Sequence, residues 1–163
     1  GEQCLEMLQK VKELLDQGGR LEESVSEEIA NHRQTKGKYI PGFGHRFHKP
    51  EDPRAPRLMK LVSDAEGEKL VSGNFMRIGL EIQRQLSLGK SNGIAMNIDG
   101  VTAVIFGELG FAPPLARGLF CLSRSVGILA HAWEQKNQGG RNKGPTPPEF
   151  LWNYSGKNPL EEG

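Results

Sequence analysis

Apolar residues recur along this chain at steps of three and four, and no stretch alternates long enough to build a strand. That period returns side chains to one face of an α-helix, so it restricts the fold to packed helices. Cys4, Met7, Leu8, Val11, Leu14 and Leu15 share a face that Gly18-Gly19 closes. Leu21, Val25 and Ile29 repeat the pattern up to Gly37, with Ser24 and Glu27 at capping-box spacing. Asp52-Pro53 opens a third segment, whose buried side is Leu58, Leu61, Val62 and Ala65. Phe75, Ile78, Ile82 and Leu86 mark a fourth, which stops at Gly89. Residues 94–109 are mostly apolar, their only charges being Asp99 early and Glu108 near the end. The longest signal is Leu115, Leu119, Leu122, Val126, Leu129 and Trp133, with Pro113-Pro114 before it and Gly139-Gly140 after. The pattern predicts six helices, and from Gly139 a Gly/Pro-rich tail too irregular to pack alone.

Composition narrows the function. With 36% of 163 residues hydrophobic the chain can bury a core, which excludes full-length disorder. The 21 basic and 20 acidic side chains cancel to +1, so there is no global field to hold nucleic acid. The charges are unevenly spread: residues 36–60 carry seven bases against Glu51 and Asp52 alone, which invites an anionic ligand. No run of about 18 apolar residues is present to span a membrane. Cys4 and Cys121 form neither a disulfide framework nor a zinc knuckle, so the expected compartment is the reducing cytoplasm. Gly1-Glu2-Gln3-Cys4 runs straight into a helical pattern, and a preceding segment is expected.

Helical patterning stops between residues 38 and 53, in a stretch holding the sharpest chemical feature, Ile40-Pro41-Gly42-Phe43-Gly44-His45-Arg46. Two glycines let backbone groups approach a ligand, and a histidine follows directly. Phe47 replaces the third glycine of a dinucleotide fingerprint, and His45 and His48 lack the further ligands of a metal site. Arg54 lies nine residues beyond His45, and a guanidinium offers the planar fork that carboxylates prefer. Asp99 sits among apolar neighbours, so it reads either as a desolvated general acid or base or as a helix N-cap. Arg117 and Arg124 fall on one side of the last helix, where an arginine stem can also simply snorkel past a core through Leu122, Val126 and Leu129. His131 and Glu134, a turn apart, read as structural.

In order, Gly42-Phe43-Gly44-His45-Arg46, Asp52-Pro53-Arg54-Ala55, Asn97-Ile98-Asp99-Gly100 and the run from Ser123 to His131 resemble the citrate synthase superfamily. The resemblance extends from Gly1 to about Arg141. It implies an all-α, citrate synthase-like fold, with residues 1–107 a small mobile domain and 108–163 the C-terminal part of a large domain. It further implies acetyl-CoA, oxaloacetate, and citrate or citryl-CoA as partners. No cofactor would be permanently bound, the coenzyme A thioester being a substrate, and no metal is implied. The assembly would be a homodimer or higher homo-oligomer.

By the same resemblance His45 hydrogen-bonds the oxaloacetate carbonyl, and Asp99 takes a methyl proton from acetyl-CoA. Arg54 and Arg124 bind substrate carboxylates, and Arg141 matches an arginine supplied by a neighbouring subunit. Ile40, Pro41, Gly42, Phe43 and Gly44 match the adenine-binding loop of coenzyme A, with Arg46 and Lys90 on its phosphates. Three features depart from the synthase pattern. The second catalytic histidine of the family belongs just ahead of the helix at Glu2, so an upstream part is expected. Asp99-Gly100-Val101-Thr102 is worded like citryl-CoA lyases and the citryl-CoA-cleaving module of ATP-citrate lyase. Gly140-Arg141-Asn142-Lys143 replaces an Arg-Pro-Arg motif. The expected function is therefore citryl-CoA lyase, with citrate or 2-methylcitrate synthase and a non-catalytic CoA-binding paralogue as alternatives.

Overall fold

The computed structural model describes residues 1–46, 48 and 51–139. Among the described residues six helices follow one another: α1 (Glu2–Asp16), α2 (Leu21–Thr35), α3 (Ala55–Gly67), α4 (Asn74–Ser87), α5 (Ile98–Glu108) and α6 (Pro113–Asn137). Among the described residues the nearest thing to a sheet is one antiparallel bridge between Phe43 and Met96. The chain divides into two units, Gly1–Arg124 and Ser125–Gly163. The candidate site lies in the first.

α5 is the axis of that unit. α1, α3 and α4 all pack on it, and α2 covers α1 and α4 from outside. Its composition suits the position, because Gly100, Val101, Ala103, Val104 and Gly107 are buried and small enough to let neighbours come close. At Gly107 a Cβ would stand 2.5 Å from the Phe75 ring, so glycine there is a packing requirement. Cys4, Leu5, Met7, Leu8 and Val11 of α1 and Ile78, Ile82 and Leu86 of α4 complete the core. Truncating any of the larger ones to alanine is worth about 2–5 kcal/mol.

α4 starts without a side-chain cap of its own. Glu108, at the far end of α5, replaces it: Oε1 accepts from the backbone N–H of Phe75 (2.7 Å) and Met76 (3.1 Å), and Oε2 from Gly73 N–H and the Ser72 hydroxyl, both at 2.9 Å. A carboxylate on the orphaned N–H groups of a first turn also meets the positive end of the helix dipole.

Four sequence expectations need correction. α2 begins at Leu21 behind Arg20, so Ser24 lies buried inside the helix, and its spacing to Glu27 is not a capping box. α3 begins at Ala55, two residues after the anticipated opening at Pro53. Leu61 is 56% exposed and belongs to the solvent side of that helix. On α6, Leu115, Leu122, Val126, Leu129 and Trp133 share a period as expected, yet all are exposed; only Ala116 of that helix is buried. Periodicity tells which side chains share a face, not whether another element covers it. Arg141 and the tail beyond Gly139 lie outside the described residues.

Candidate active site

Two stretches without helix, residues 40–46 and 94–97, are joined by a hydrogen-bonded clasp. Gly44 N–H donates to Ala95 O (2.7 Å), and Asn97 N–H donates to Gly42 O (2.9 Å). The Asn97 side chain adds a third link, its Nδ2 donating to Gly44 O at 2.6 Å. Gly42 and Gly44 have φ of +86° and +77°, the left-handed region in which a side chain is strained. At Gly42 space forbids one too: a Cβ would come within 2.6 Å of Cys4 Sγ and 2.8 Å of Gly100 Cα. Burial beneath the clasp pushes the Cys4 thiol up to about 12, so it stays protonated.

The clasp sets the start of α5. Asn97 is the N-cap, its Oδ1 accepting from Asp99 N–H (2.9 Å) and Gly100 N–H (3.2 Å), so capping falls to Asn97 and Asp99 occupies the first turn. The Asp99 side chain is 49% exposed, not sunk against the apolar wall that its neighbours foretold. Asp52 ties in the remaining motif. Fully buried, it accepts from Arg54 N–H, Nε and Nη2 and from Ile98 N–H. The Arg54 hydrogen bonds hold the Asp52 carboxyl far below the usual carboxylate range, against the opposing effect of burial. Arg54 is pushed up in return, first by its hydrogen bond to Asp52, and the Asp99 charge adds to the effect.

Two clefts open on the clasp. The larger, about 780 Å³, has Ile40, Phe43, Gly44, His45, Arg46 and Lys90 in its lining, with Arg33, Lys38, Tyr39, Leu86 and Ile94. Four of these are cations and none is an acid, while Ile40, Phe43, Leu86 and Ile94 give an apolar floor. Such a lining suits a ligand with an apolar part and several negative charges. His45 Nδ1 accepts from His48 N–H at 3.0 Å, so the ring proton of the neutral imidazole belongs on Nε2.

The smaller cleft, about 560 Å³, is lined by Asp99 with Pro41, Gly42, Gly1, Glu2, Gln3, Glu6, Lys36 and Arg117. Lys36 pairs there with Glu6 at 3.1 Å, and Arg117 with Glu2 at 3.7 Å. Of the residues singled out in the sequence, three motifs thus meet around one clasp, with His45 and Asp99 on separate clefts. Arg124 stands apart on α6, its guanidinium 4.4 Å from the centre of the Phe120 ring. His131 Nδ1 lies 3.6 Å from Glu134 Oε2. Among the described residues no group of three or more His, Cys, Asp and Glu could hold a metal ion.

The family model of the citrate synthase C-terminal domain matches residues 1–145. The chain belongs to the citrate synthase family. The citrate synthase of Acidithiobacillus ferridurans is 30% identical over 148 residues, which is 89% of this chain and 36% of that protein. The chain thus spans about a third of that relative's length. The solved citryl-CoA lyase from Hydrogenobacter thermophilus is similar over 98% of this chain and 59% of its own, with a TM-score of 0.66 and 27% identity. The citrate synthase from Thermotoga maritima MSB8 gives 0.61 and 28%, over 96% of this chain and 42% of its own. The all-α, citrate synthase-like fold read from the sequence is borne out. No helix among the described residues is long and apolar enough to cross a membrane.

The sequence reading missed Arg33 and Lys38 as parts of the site, and it named Asn97 and Asp52 only as members of their motifs, without the roles that the structure gives them. For Lys38 the excess of bases over residues 36–60 was a usable signal, whereas Arg33 lies ahead of that stretch. For Asp52 the signal was present but assigned to a helix cap.

Proposed function

We propose that the protein carrying this chain makes or breaks the carbon–carbon bond between the methyl carbon of acetyl-CoA and the ketone carbon of oxaloacetate, and that it works as a citryl-CoA lyase. The observation that carries this reading is the clasp: it ties the histidine loop to the first turn of the helix that carries Asp99, and because His45 and Asp99 line separate clefts on either side of it, the acetyl end of a coenzyme A held in the His45 cleft has to pass the clasp to meet Asp99. In the joining direction Asp99 takes a methyl proton from acetyl-CoA, and the enolate carbon attacks the ketone carbon of oxaloacetate. His45 Nε2–H hydrogen-bonds the ketone oxygen as it gains negative charge, and the proton that Asp99 removed is returned to that oxygen by way of His45, giving the tertiary hydroxyl of the citryl product with both residues as they began. Cleavage runs each transfer backwards, and Asp99 protonates the methylene carbon of the acetyl-CoA enolate.

The larger cleft takes coenzyme A in this reading. Ile40, Phe43 and Gly44 lie against adenine, with Pro41 and Gly42 on the reverse side of the same loop, and Arg46 and Lys90 meet phosphates. Arg54 and Arg124 bind substrate carboxylates, joined by Arg141 from a neighbouring subunit of a homodimer or larger homo-oligomer. Arg124 reaches the substrate only after movement between a small domain of residues 1–107 and a large one to which 108–163 belong.

Lyase is preferred for the wording Asp99-Gly100-Val101-Thr102 and for the likeness to the Hydrogenobacter enzyme. Citrate or 2-methylcitrate synthase is the second reading, favoured by the identity to the Acidithiobacillus synthase. Citryl-CoA given to the purified enzyme separates them. Release of oxaloacetate with intact acetyl-CoA supports the lyase, and free thiol with citrate supports the synthase. Neither product would leave a non-catalytic CoA-binding protein.

A further inference from the structure

Asp52 is the most deeply buried acid of the molecule among the described residues, and the reaction above gives it no task. Its two oxygens are each used twice. Oδ1 accepts from Arg54 Nε at 2.9 Å and Arg54 N–H at 3.1 Å; Oδ2 accepts from Arg54 Nη2 at 2.9 Å and from Ile98 N–H at 3.0 Å. Ile98 opens α5, one residue before Asp99. One carboxylate therefore grips both the arginine proposed to bind substrate and the helical turn that carries the proposed base.

The grip is directional. Asp52 occupies the Nε–Nη2 edge of the guanidinium, and the Arg54 side chain is 48% exposed while that of Asp52 is 0% exposed. The acid thus holds the fork by its inner edge and turns the Nη1 edge outward. A long flexible side chain held this way loses its rotamer freedom before a ligand arrives.

We propose that Asp52 is a positioning residue: it fixes the outward edge of Arg54 and the first turn of α5 in one register, so that a substrate carboxylate is seated at a set distance from Asp99. This rests on the functional reading above. Asp52→Asn keeps the shape, but puts an amide where a guanidinium N–H or the Ile98 N–H needs an acceptor. Arg54 then loses its orientation.

The test measures citrate, oxaloacetate and coenzyme A binding by calorimetry in the whole protein, for the unaltered form, Asp52→Asn, Arg54→Ala and the double variant. Asp52→Asn should weaken citrate by about tenfold or more and leave coenzyme A unchanged. In the Arg54→Ala background, Asp52→Asn should add little, because the route through Arg54 is already gone. Equal citrate affinity in Asp52→Asn overturns the inference, as does a loss that is the same with and without Arg54. No citrate or oxaloacetate binding by the unaltered protein overturns the functional reading, and this inference with it. Should Asp52→Asn not fold, the arginine Nε–H NMR signals of the unaltered protein decide, with Arg54 assigned by Arg54→Lys. A slowly exchanging Arg54 signal, with and without citrate, supports the grip; exchange as fast as at fully exposed arginines overturns it.

Discussion

Gly42 and Gly100 meet backbone to backbone: a Cβ on Gly100 would stand 2.3 Å from Gly42 O, and a Cβ on Gly42 would stand 2.8 Å from Gly100 Cα. This contact brings the histidine loop and the aspartate helix within reach of each other. Gly100→Ala must therefore push the two segments apart. Overpacking of this kind costs about 3 kcal/mol, which for a chain of this size lowers the melting temperature by roughly 10 °C. Gly42→Ala adds the penalty of a left-handed φ, about 1 kcal/mol more. Thermal unfolding of the two variants checks both, and a Gly100→Ala variant that melts with the unaltered protein refutes the contact.

Asp99→Asn preserves size and leaves the Asn97 cap intact, since that cap uses the backbone of residue 99. Removing a proton-transfer group should lower turnover of citryl-CoA by about 10²–10⁴-fold with the melting temperature nearly unchanged. Near-normal turnover would show that another group moves the proton.

The depressed carboxyl of Asp52 has a defined effect on acid stability. A group whose folded-state value lies below its unfolded value of about 3.9 stabilises fully above that pH, and loses the contribution as pH falls through the folded value. Unfolding free energies of the unaltered protein and Asp52→Asn, measured by denaturant at a series of pH values, should differ by a constant amount from pH 7 to about 5. The gap should then shrink steadily toward pH 2. A gap that stays constant to pH 2 would mean that Asp52 is not the paired group.

Cys4 and Cys121 should separate cleanly by reactivity. Burial holds Cys4 as a thiol with its value near 12, whereas Cys121 is exposed. At pH 8 a thiol reagent should label Cys121 within minutes and Cys4 only after unfolding. Mass spectrometry of the native protein reads this directly, and fast labelling of Cys4 would mean that the clasp above it opens.

Helix number and order were legible in the sequence because each helix keeps its apolar period, from Cys4 in α1 to Trp133 in α6. Helix starts were less so. Ser24 and Glu27 had the spacing of a cap but lie a turn inside α2, whose start rests on Arg20 backbone geometry alone. Asp52-Pro53 looked like a helix opener, yet the Asp52 side chain serves Arg54 and Ile98, partners that only tertiary contact reveals.

The motif residues His45, Arg54 and Asp99 could be named from spacing and resemblance, but their exposure could not. Asp99 has apolar sequence neighbours and is still half open to solvent, because those neighbours point from the helix in other directions. Gly100, read in sequence for its bearing on reaction direction, has a packing reason in the carbonyl of Gly42.

The reach of Glu108 across to the first turn of α4 also bears on how this region can move. Because one side chain pins the leading end of α4 to the trailing end of α5, parting those two ends breaks the hydrogen bonds to Gly73, Phe75 and Met76 together. Shortening that side chain would free the two ends to shift independently.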